Sequence, residues 1–554
     1  MHAELLPSLR QIVGPDHVIA APDPRYYAYT FGDATLYRSQ PDVIVHPGTA
    51  KEVAEVVKLA ATLGAFVVPA GGLTGLSGGA ACQGGIQLNL SRMKAVLKID
   101  PVSKTVVAQP GISCAKLNQE LAQHGLTVPV APASHLISTL GANIAEGAGG
   151  TWGMSKGTFK NYLLALQVVD GQGRIFRTAK AFPKQSTGPD LTALFLGSEG
   201  TMGVITEVTL RCDYLPGDTW TIRARFENES VLQAIHEGVA ARRINLYSFE
   251  YMDGRIMQAL GKPPAMLLLL QTAGHPVAAR EDAEKLLEVL QALNPLELRH
   301  TNDKAEADLL YAERRSALGA LAKADRAKPV IVQFDPVLPL SRFAEGIAKM
   351  RELAAQAQLE IIIYGHAGDG NLHPSFIIRD DINEKRKARE VIREYDTWIE
   401  QNGGVFAGEH AVGFFLGRDM ESIRPGIGEY LRAIRKAFDP HGVLNPGKIV
   451  DIQELPLELA PVLESYKPIA EIVALCAKCH LCKLDSAAFQ AQPREHNTIR
   501  GRLSMIDAAC RGQVSFAAIR PYIHEMRPWT EKMNCPAYIK ERMAELIQKT
   551  IAAE

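Results

Sequence analysis

The chain has no surplus of charge of either sign: 60 Lys and Arg stand against 61 Asp and Glu in 554 residues. That balance argues against a nucleic-acid surface or a polybasic membrane patch, both of which need clustered cations. Long apolar runs are missing as well. The stretch Ala265–Leu270 is among the longest. It falls far short of the ~20 residues that span a bilayer and reads as a buried strand. The opening residues, MHAELLPSLRQ, show no charged segment followed by an apolar one. The expected location is therefore the cytoplasm, at most at the inner face of the membrane through a partner. The eight cysteines do not form a disulfide framework. Three of them, Cys476, Cys479 and Cys482, fall within seven residues, which suggests metal ligation in a reducing compartment. At roughly 150 residues per domain, the length allows three or four structural units.

Strand and helix signals alternate through the first half. Asp42–His46 and Phe66–Pro69 read as strands around a helix at Lys51–Leu63 that stops at Gly64. Residues 104–110, 164–169 and 204–211 also read as strands. From 218 to 450, strand-like runs at 265–271, 329–334 and 359–364 alternate with helical stretches near 278–293, 305–323 and 341–357. The Pro-rich segment 451–470 reads as a linker. Residues 471–554 are mostly helical and hold Cys476, Cys479, Cys482, Cys510 and Cys535, a change of composition that marks a further domain.

Three glycine-rich loops occur within the first 206 residues. Pro69–Gly79 (PAGGLTGLSGG) follows a strand, and its N–H groups could approach a pyrophosphate without Cβ obstruction. It is neither a G-x-G-x-x-G fingerprint nor a P-loop, and alone it could be an ordinary turn. Thr139–Asn143 leading into Gly147–Gly150, and Gly197–Thr206, exceed what turns alone require.

Residues 364–373 read Tyr-Gly-His-Ala-Gly-Asp-Gly-Asn-Leu-His. On one straight strand His366 and His373 would face opposite ways. Asp369-Gly370 is a hairpin signal that can bring both imidazoles together, with Asn371 nearby. With Glu409 as a third ligand the set suits Zn, Mn or Fe; the alternative is a group of ordinary polar loop residues. In the tail, Cys476-x2-Cys479-x2-Cys482 has the spacing of three ligands of a [4Fe–4S] run, but Ser486 stands where the fourth Cys would be. In two-cluster modules that fourth Cys serves the other cluster. Cys535-Pro536 supplies the cross-ligand for the first, while the other three positions of its own run hold Glu525, Pro528 and Glu531. The expectation is one cluster on Cys476, Cys479, Cys482 and Cys535; a zinc knuckle or an empty vestige are the alternatives.

PAGGLTGLSGGA, TLGANIAEGAGG, DLTALFLGSEGTMGVITEVTL, GHAGDGNLH and GEHAVG together resemble the FAD-linked D-2-hydroxyacid dehydrogenases of the vanillyl-alcohol-oxidase and p-cresol-methylhydroxylase superfamily, over roughly residues 15–450. The segment Ile499–Arg502 is similar to helical ferredoxin modules fused to such enzymes. The resemblance implies an α+β chain: a bipartite FAD-binding domain (1–217), an α+β substrate or cap domain (218–450) whose end at about 405–450 returns toward the first, a linker (451–470) and a mostly helical iron–sulfur domain (471–554). It implies FAD held by Gly71, Gly72, Leu73, Thr74, Gly75 and Ser77, and the lack of a histidine in the glycine-rich loops, His135 just before Thr139 apart, makes the expected attachment non-covalent. Further cofactor contacts would come from Pro132, Ser138, Gly141, Ala142 and Gly149, then Glu199, Gly200, Gly203, Ile205 and Asn445. His366, His373 and Glu409 would bind a divalent metal, with His410 as catalytic base and Asn371 beside it. Arg314, in LYAERRSAL, would grip a substrate carboxylate, with Arg315 the neighbouring candidate.

The family loop usually carries Arg and a third Gly where this chain has Ala70 and Leu73. Members selective for larger diacids carry a Lys near Asp335, and Gln333 stands here. A Lys often follows GEHAVG; here the run is Phe414-Phe415-Leu416, with Arg418 beyond. The expected substrate is therefore a small D-2-hydroxy acid, D-lactate or glycolate. Electrons are expected to leave FAD through the cluster to a protein or quinone, in a complex or homo-oligomer. Competing readings are altered chemistry within the superfamily, or a non-catalytic electron-transfer subunit.

Overall fold

The computed structural model describes residues 3–30, 39–314, 330–379, 381–452, 460–474, 476, 482–526 and 537–553. A short sheet opens the chain. Ile86–Asn89 runs parallel to Val43–Val45 on one side and Val67–Ala70 on the other, and Val18–Ile19 adds an antiparallel edge. Parallel neighbours need a crossover, and the helix Ala50–Leu63 provides it. The Thr49 hydroxyl accepts from the Glu52 N–H at 3.1 Å, and the Glu52 carboxylate accepts from the Gly48 N–H at 2.7 Å, which fixes the helix start. Gly64 ends it in the left-handed conformation. Its Val53, Val56, Val57 and Ala60 are buried with the sheet's Val43, Val45 and Leu88.

A five-stranded antiparallel sheet follows, ordered Val96–Asp100, Thr105–Ala108, Val204–Arg211, Leu163–Val169 and Ile175–Arg177. Leu117 and Leu121 of the helix Cys114–Ala122, and Leu140 and Ile144 of Leu140–Ala145, share its core.

The next unit is a six-stranded antiparallel sheet: Glu297–Thr301, Asp218–Phe226, Met266–Gly274, Leu246–Met252, Tyr364–His366 and Asn371–Leu372. Met266–Gly274 lies inside this order, so its apolar half, Met266–Leu270, is buried on both faces. The helix Pro276–Gln291 packs on it and on 218–226. Val330–Gln333, Ser375–Ile378 and Glu360–Ile362 form a smaller sheet. The run 359–364, expected as one strand, splits between the two sheets, and the Ile363 N–H is taken by Asp253 Oδ2 at 2.8 Å. Of the helical stretch expected at 305–323, Lys304–Leu310 is observed, and residues 315–329 lie outside the described residues. After this unit the chain returns to the opening sheet: the Val67 N–H donates to Val443 O, and the Asn445 N–H to Val67 O, both at 2.8 Å.

The tail is helical: Lys467–Ala474, Ile499–Cys510, Phe516–His524 and Ala537–Ala552 are its longer helices. Helix starts already at Lys467, inside the stretch expected as linker, while 453–459 are not described. Every residue of Ile499–Cys510 is buried. That helix packs against Pro24–Tyr29 of the first unit. One apolar cluster joins Tyr27, Tyr29 and Leu73 to Ile469, Leu503, Ile506, Ile519 and Leu546.

Candidate active site

The glycine-rich loop 71–79 leaves the end of the strand Val67–Ala70 and lines a cavity. Gly71, Leu73, Thr74 and Gly75 form one side of it. Gly141 and Ala142 form another, and Glu199, Gly200, Gly203 and Ile205 close it. Among the described residues, the N–H groups of Leu73, Thr74 and Gly75 have no hydrogen-bond acceptor. Backbone N–H groups are strong donors that folded chains rarely leave unpaired away from water. A run of them in a concave loop fits an anion such as a diphosphate. The buried hydroxyls of Ser77 and Thr139 are likewise without a partner. A Cβ on Gly71 would fall 2.1 Å from Thr139 Oγ1, so only glycine lets the two loops meet. Leu73 and Glu199 both adopt left-handed backbone without being glycine.

Not every expected cofactor residue lines this cavity. Gly72 turns away, and its carbonyl accepts from Lys483 Nζ at 2.6 Å. The Ser138 hydroxyl accepts from Asn143 Nδ2 at 3.1 Å. The carbonyl of Pro132 takes the His135 N–H at 2.8 Å. Asn445 Nδ2 donates to Gly79 O at 2.9 Å and Glu199 O at 2.6 Å, latching the returning chain onto the cavity rim. Lining residues that sequence reasoning missed include Leu90 and Pro110, which lie outside the glycine-rich motifs.

The second half of the site is a hairpin. Gly365 pairs with Leu372 and His366 with Asn371, and the turn at Gly370 takes a left-handed backbone. The turn brings His366 and His373 to a ring separation of 5.0 Å. Glu409 Oε1 lies 3.2 Å from His366 Nε2 and 3.3 Å from His373 Nε2. One ligand atom from each of the three lies within 4.8 Å of the others, a set that could hold a metal ion. His410 stacks on His373 with ring centroids 4.8 Å apart, and its Nε2 is 3.7 Å from Glu409 Oε1. Asp335 Oδ2 shapes this loop by accepting from three successive N–H groups, those of Gly408 (3.1 Å), Glu409 (2.5 Å) and His410 (2.8 Å). Asn371 Nδ2 donates to the carbonyls of Asp335 and Pro336 at 3.0 and 3.1 Å, so it braces the same loop.

The electrostatics of the two histidines diverge. Burial drives the His373 pKa down to about 3, so the ring is neutral and its lone pair is available. Burial also opposes charge on His366, but Glu250 and Glu409 outweigh it and hold its pKa well above the usual value. Burial works against ionising Glu409 too, and His366 and His373 overcome it. Glu250, a single acidic residue in the otherwise apolar run Leu246–Met252, is the partner that sequence reasoning missed. Its Oε1 lies 2.5 Å from His366 Nδ1, and its Oε2 accepts from Arg314 Nε at 2.7 Å.

Arg314 thus joins the histidine cluster through Glu250. Its guanidinium stacks 5.0 Å over the Tyr364 ring. Glu250 is its one hydrogen-bond partner among the described residues, which leaves the Nη edge of the fork for a ligand. Burial pushes the Tyr364 hydroxyl pKa up, against the lowering effect of Arg314. Gly149 sits between the two halves of the site: a Cβ there would fall 2.7 Å from Glu409 Oε2. The Glu199 carboxylate links them as well, accepting from the Val412 and Gly413 N–H groups at 3.0 and 2.8 Å. Phe414 packs against Gly78, and Arg315 lies outside the described residues.

Comparison with known proteins agrees with this geometry. Residues 41–179 match the model of the FAD binding domain, and residues 216–449 that of the FAD linked oxidases, C-terminal domain. Glycolate oxidase subunit GlcD of Bacillus subtilis is 32% identical over 456 residues, 80% of this chain and 95% of that protein. The chain belongs to the FAD-linked oxidase family. A D-lactate dehydrogenase of Archaeoglobus fulgidus is 30% identical over 415 residues, 74% of this chain and 91% of that one. The solved structure of p-cresol methylhydroxylase with substrate bound shares the fold at a TM-score of 0.67 and 18% identity, covering 81% of this chain and 96% of that one. The FAD-binding domain and the oxidase domain form one mixed α+β architecture, and the cavity and the histidine cluster meet at Gly149 and Glu199. No helix among the described residues is long and apolar enough to cross a membrane.

Proposed function

We propose that this FAD-linked oxidase oxidises a small D-2-hydroxy acid, D-lactate or glycolate, to the 2-keto acid. The observation that carries the reading is the convergence of His366, His373 and Glu409 beside His410, joined through Glu250 to Arg314. When bound, FAD supplies a two-electron acceptor for the hydride of Cα, and a divalent Zn, Mn or Fe on the three ligands supplies Lewis acidity toward the α-oxygen. Arg314 holds the substrate carboxylate through the Nη edge of its fork. His410 Nε2, on the side of Glu409, receives the hydroxyl proton. Asp335 and Asn371 keep the His410 loop in place. Gln333 is uncharged, so that position offers no second cation for a diacid.

The tail supports an electron path away from the flavin. We place one [4Fe–4S] cluster on Cys476, Cys479, Cys482 and Cys535, of which Cys479 and Cys535 lie outside the described residues. Cys482 directly precedes Lys483, whose ammonium touches the FAD-loop carbonyl of Gly72. The acceptor would be a protein or quinone, reached in a complex or homo-oligomer in the cytoplasm or at the inner membrane face through a partner. Anaerobic mixing with D-lactate and with glycolate tests the reading. Bleaching of the flavin absorbance by one of them is expected. Flavin that stays oxidised with both acids would exclude this substrate class.

A further inference from the structure

The carbonyl side of the glycine-rich loop is covered by the tail. Lys483 Nζ donates to Gly72 O at 2.6 Å and to Glu495 Oε1 at 2.6 Å, with the Lys483 side chain fully buried. Arg500 Nη1 reaches Leu73 O at 3.5 Å and lies 3.7 Å from Glu495 Oε2. Leu73 itself is 4% exposed and belongs to the apolar cluster of the tail helices. Its φ of +52° is a backbone conformation that a branched side chain keeps only where the surroundings hold it.

In a trans peptide the C=O and the following N–H point in opposite directions. A cation that fixes Gly72 O on one side therefore fixes the Leu73 N–H on the other, and Arg500 on Leu73 O does the same for the Thr74 N–H. Like the N–H of Gly75, these two N–H groups have no acceptor among the described residues. We propose that the helical tail is the outer wall of the FAD site, and that Lys483 is a positioning residue that aims the loop's N–H groups at the FAD diphosphate. The tail then has a role in holding the flavin that does not depend on any cluster it carries. The inference rests on the FAD reading of the cavity.

Removing Lys483 alone would strand the Glu495 carboxylate in the interior, so the informative variant removes both charges. Apoprotein of the wild type, Lys483→Arg and the pair Lys483→Met/Glu495→Gln would be titrated with FAD and with riboflavin, which has no phosphate. The pair is expected to weaken FAD binding at least about tenfold, the worth of one charge-assisted hydrogen bond. Riboflavin binding and the apoprotein melting temperature should stay near wild type, and Lys483→Arg should restore most of the FAD affinity. Unchanged FAD affinity in the pair would overturn the proposal. So would an equal loss for FAD and riboflavin, which would mark Lys483 as a general packing residue. Flavin reduction by D-lactate or glycolate in the wild type is scored separately: its failure removes the substrate reading and leaves this one standing.

Discussion

His366 Nδ1 lies 2.5 Å from Glu250 Oε1, and the two residues face each other across adjacent antiparallel strands. The contact fixes which imidazole nitrogen is left for a metal: Nε2, the one directed at Glu409. A carboxylate behind a ligating histidine orients the ring and raises its basicity. Glu250→Gln keeps the shape and removes the charge, so divalent-metal affinity should fall about 10- to 100-fold. Metal titration by calorimetry reads this directly. Unaltered affinity would show that the pair serves folding alone.

The same contact predicts how metal binding depends on pH. Without metal, His366 is held protonated by Glu250 and Glu409 against the effect of burial, while burial keeps His373 neutral with a pKa of about 3. A metal must therefore displace one proton, from His366. Affinity should rise with pH by about tenfold per unit below the raised His366 pKa and level off above it. Zinc or manganese titrations between about pH 6 and 8 would show the slope, in the range where unperturbed histidines titrate. A flat profile would mean that His366 gives up no proton on metal binding.

His410 carries the proton transfer in this reading. Its ring stacks on His373 and its main chain is held by Asp335, so truncating it should leave the neighbouring ligands in place. His410→Ala should retain FAD and metal and lose ~10²- to 10⁴-fold in turnover, the usual worth of a general base. Near-normal steady-state turnover at neutral pH would show that another group takes the proton.

What could be read from the sequence depended on distance along the chain. The loop 71–79, the hairpin at Gly370 and the stop at Gly64 are legible because glycine marks backbone that other residues avoid. His366 and His373 converge through a turn of four residues, so local chemistry was enough. Glu250 and Asp335 were not legible. Glu250 meets His366 across 116 positions and Arg314 across 64, and Asp335 meets Glu409 across 74, so only the folded chain brings them together. A lone Glu in the apolar strand LYSFEYM was the one available signal. Lys483 was hidden for the same reason, since its partner Gly72 lies 411 positions away. The strand Asp218–Phe226 was missed because its polar residues, Thr221 and Arg223 among them, break the apolar pattern yet are buried by partners elsewhere.

The tail makes the sharpest forecast from sequence. Cys476, Cys479 and Cys482 provide three thiolates with the spacing of a [4Fe–4S] run, and a cubane cluster needs four. Ser486 closes the local route to the fourth: its hydroxyl accepts from the Phe489 N–H at 3.2 Å and caps a short helix. Cys510 is no substitute, since it is fully buried in the helix Ile499–Cys510 and burial drives its thiol pKa up to about 12. Cross-ligation leaves Cys535. Cys535→Ala should therefore remove or damage the cluster and stop transfer to the acceptor, while flavin reduction by substrate continues, because the residues that line the flavin cavity and form the histidine cluster precede residue 450 and the Lys483 contact does not involve the cluster. Cys510→Ala should leave the cluster intact. Iron analysis and low-temperature EPR of the reduced protein should give about four irons per chain in one centre, beyond any metal at the histidine site, as one cubane requires. About eight irons, or zinc in place of iron, would refute the single-cluster assignment.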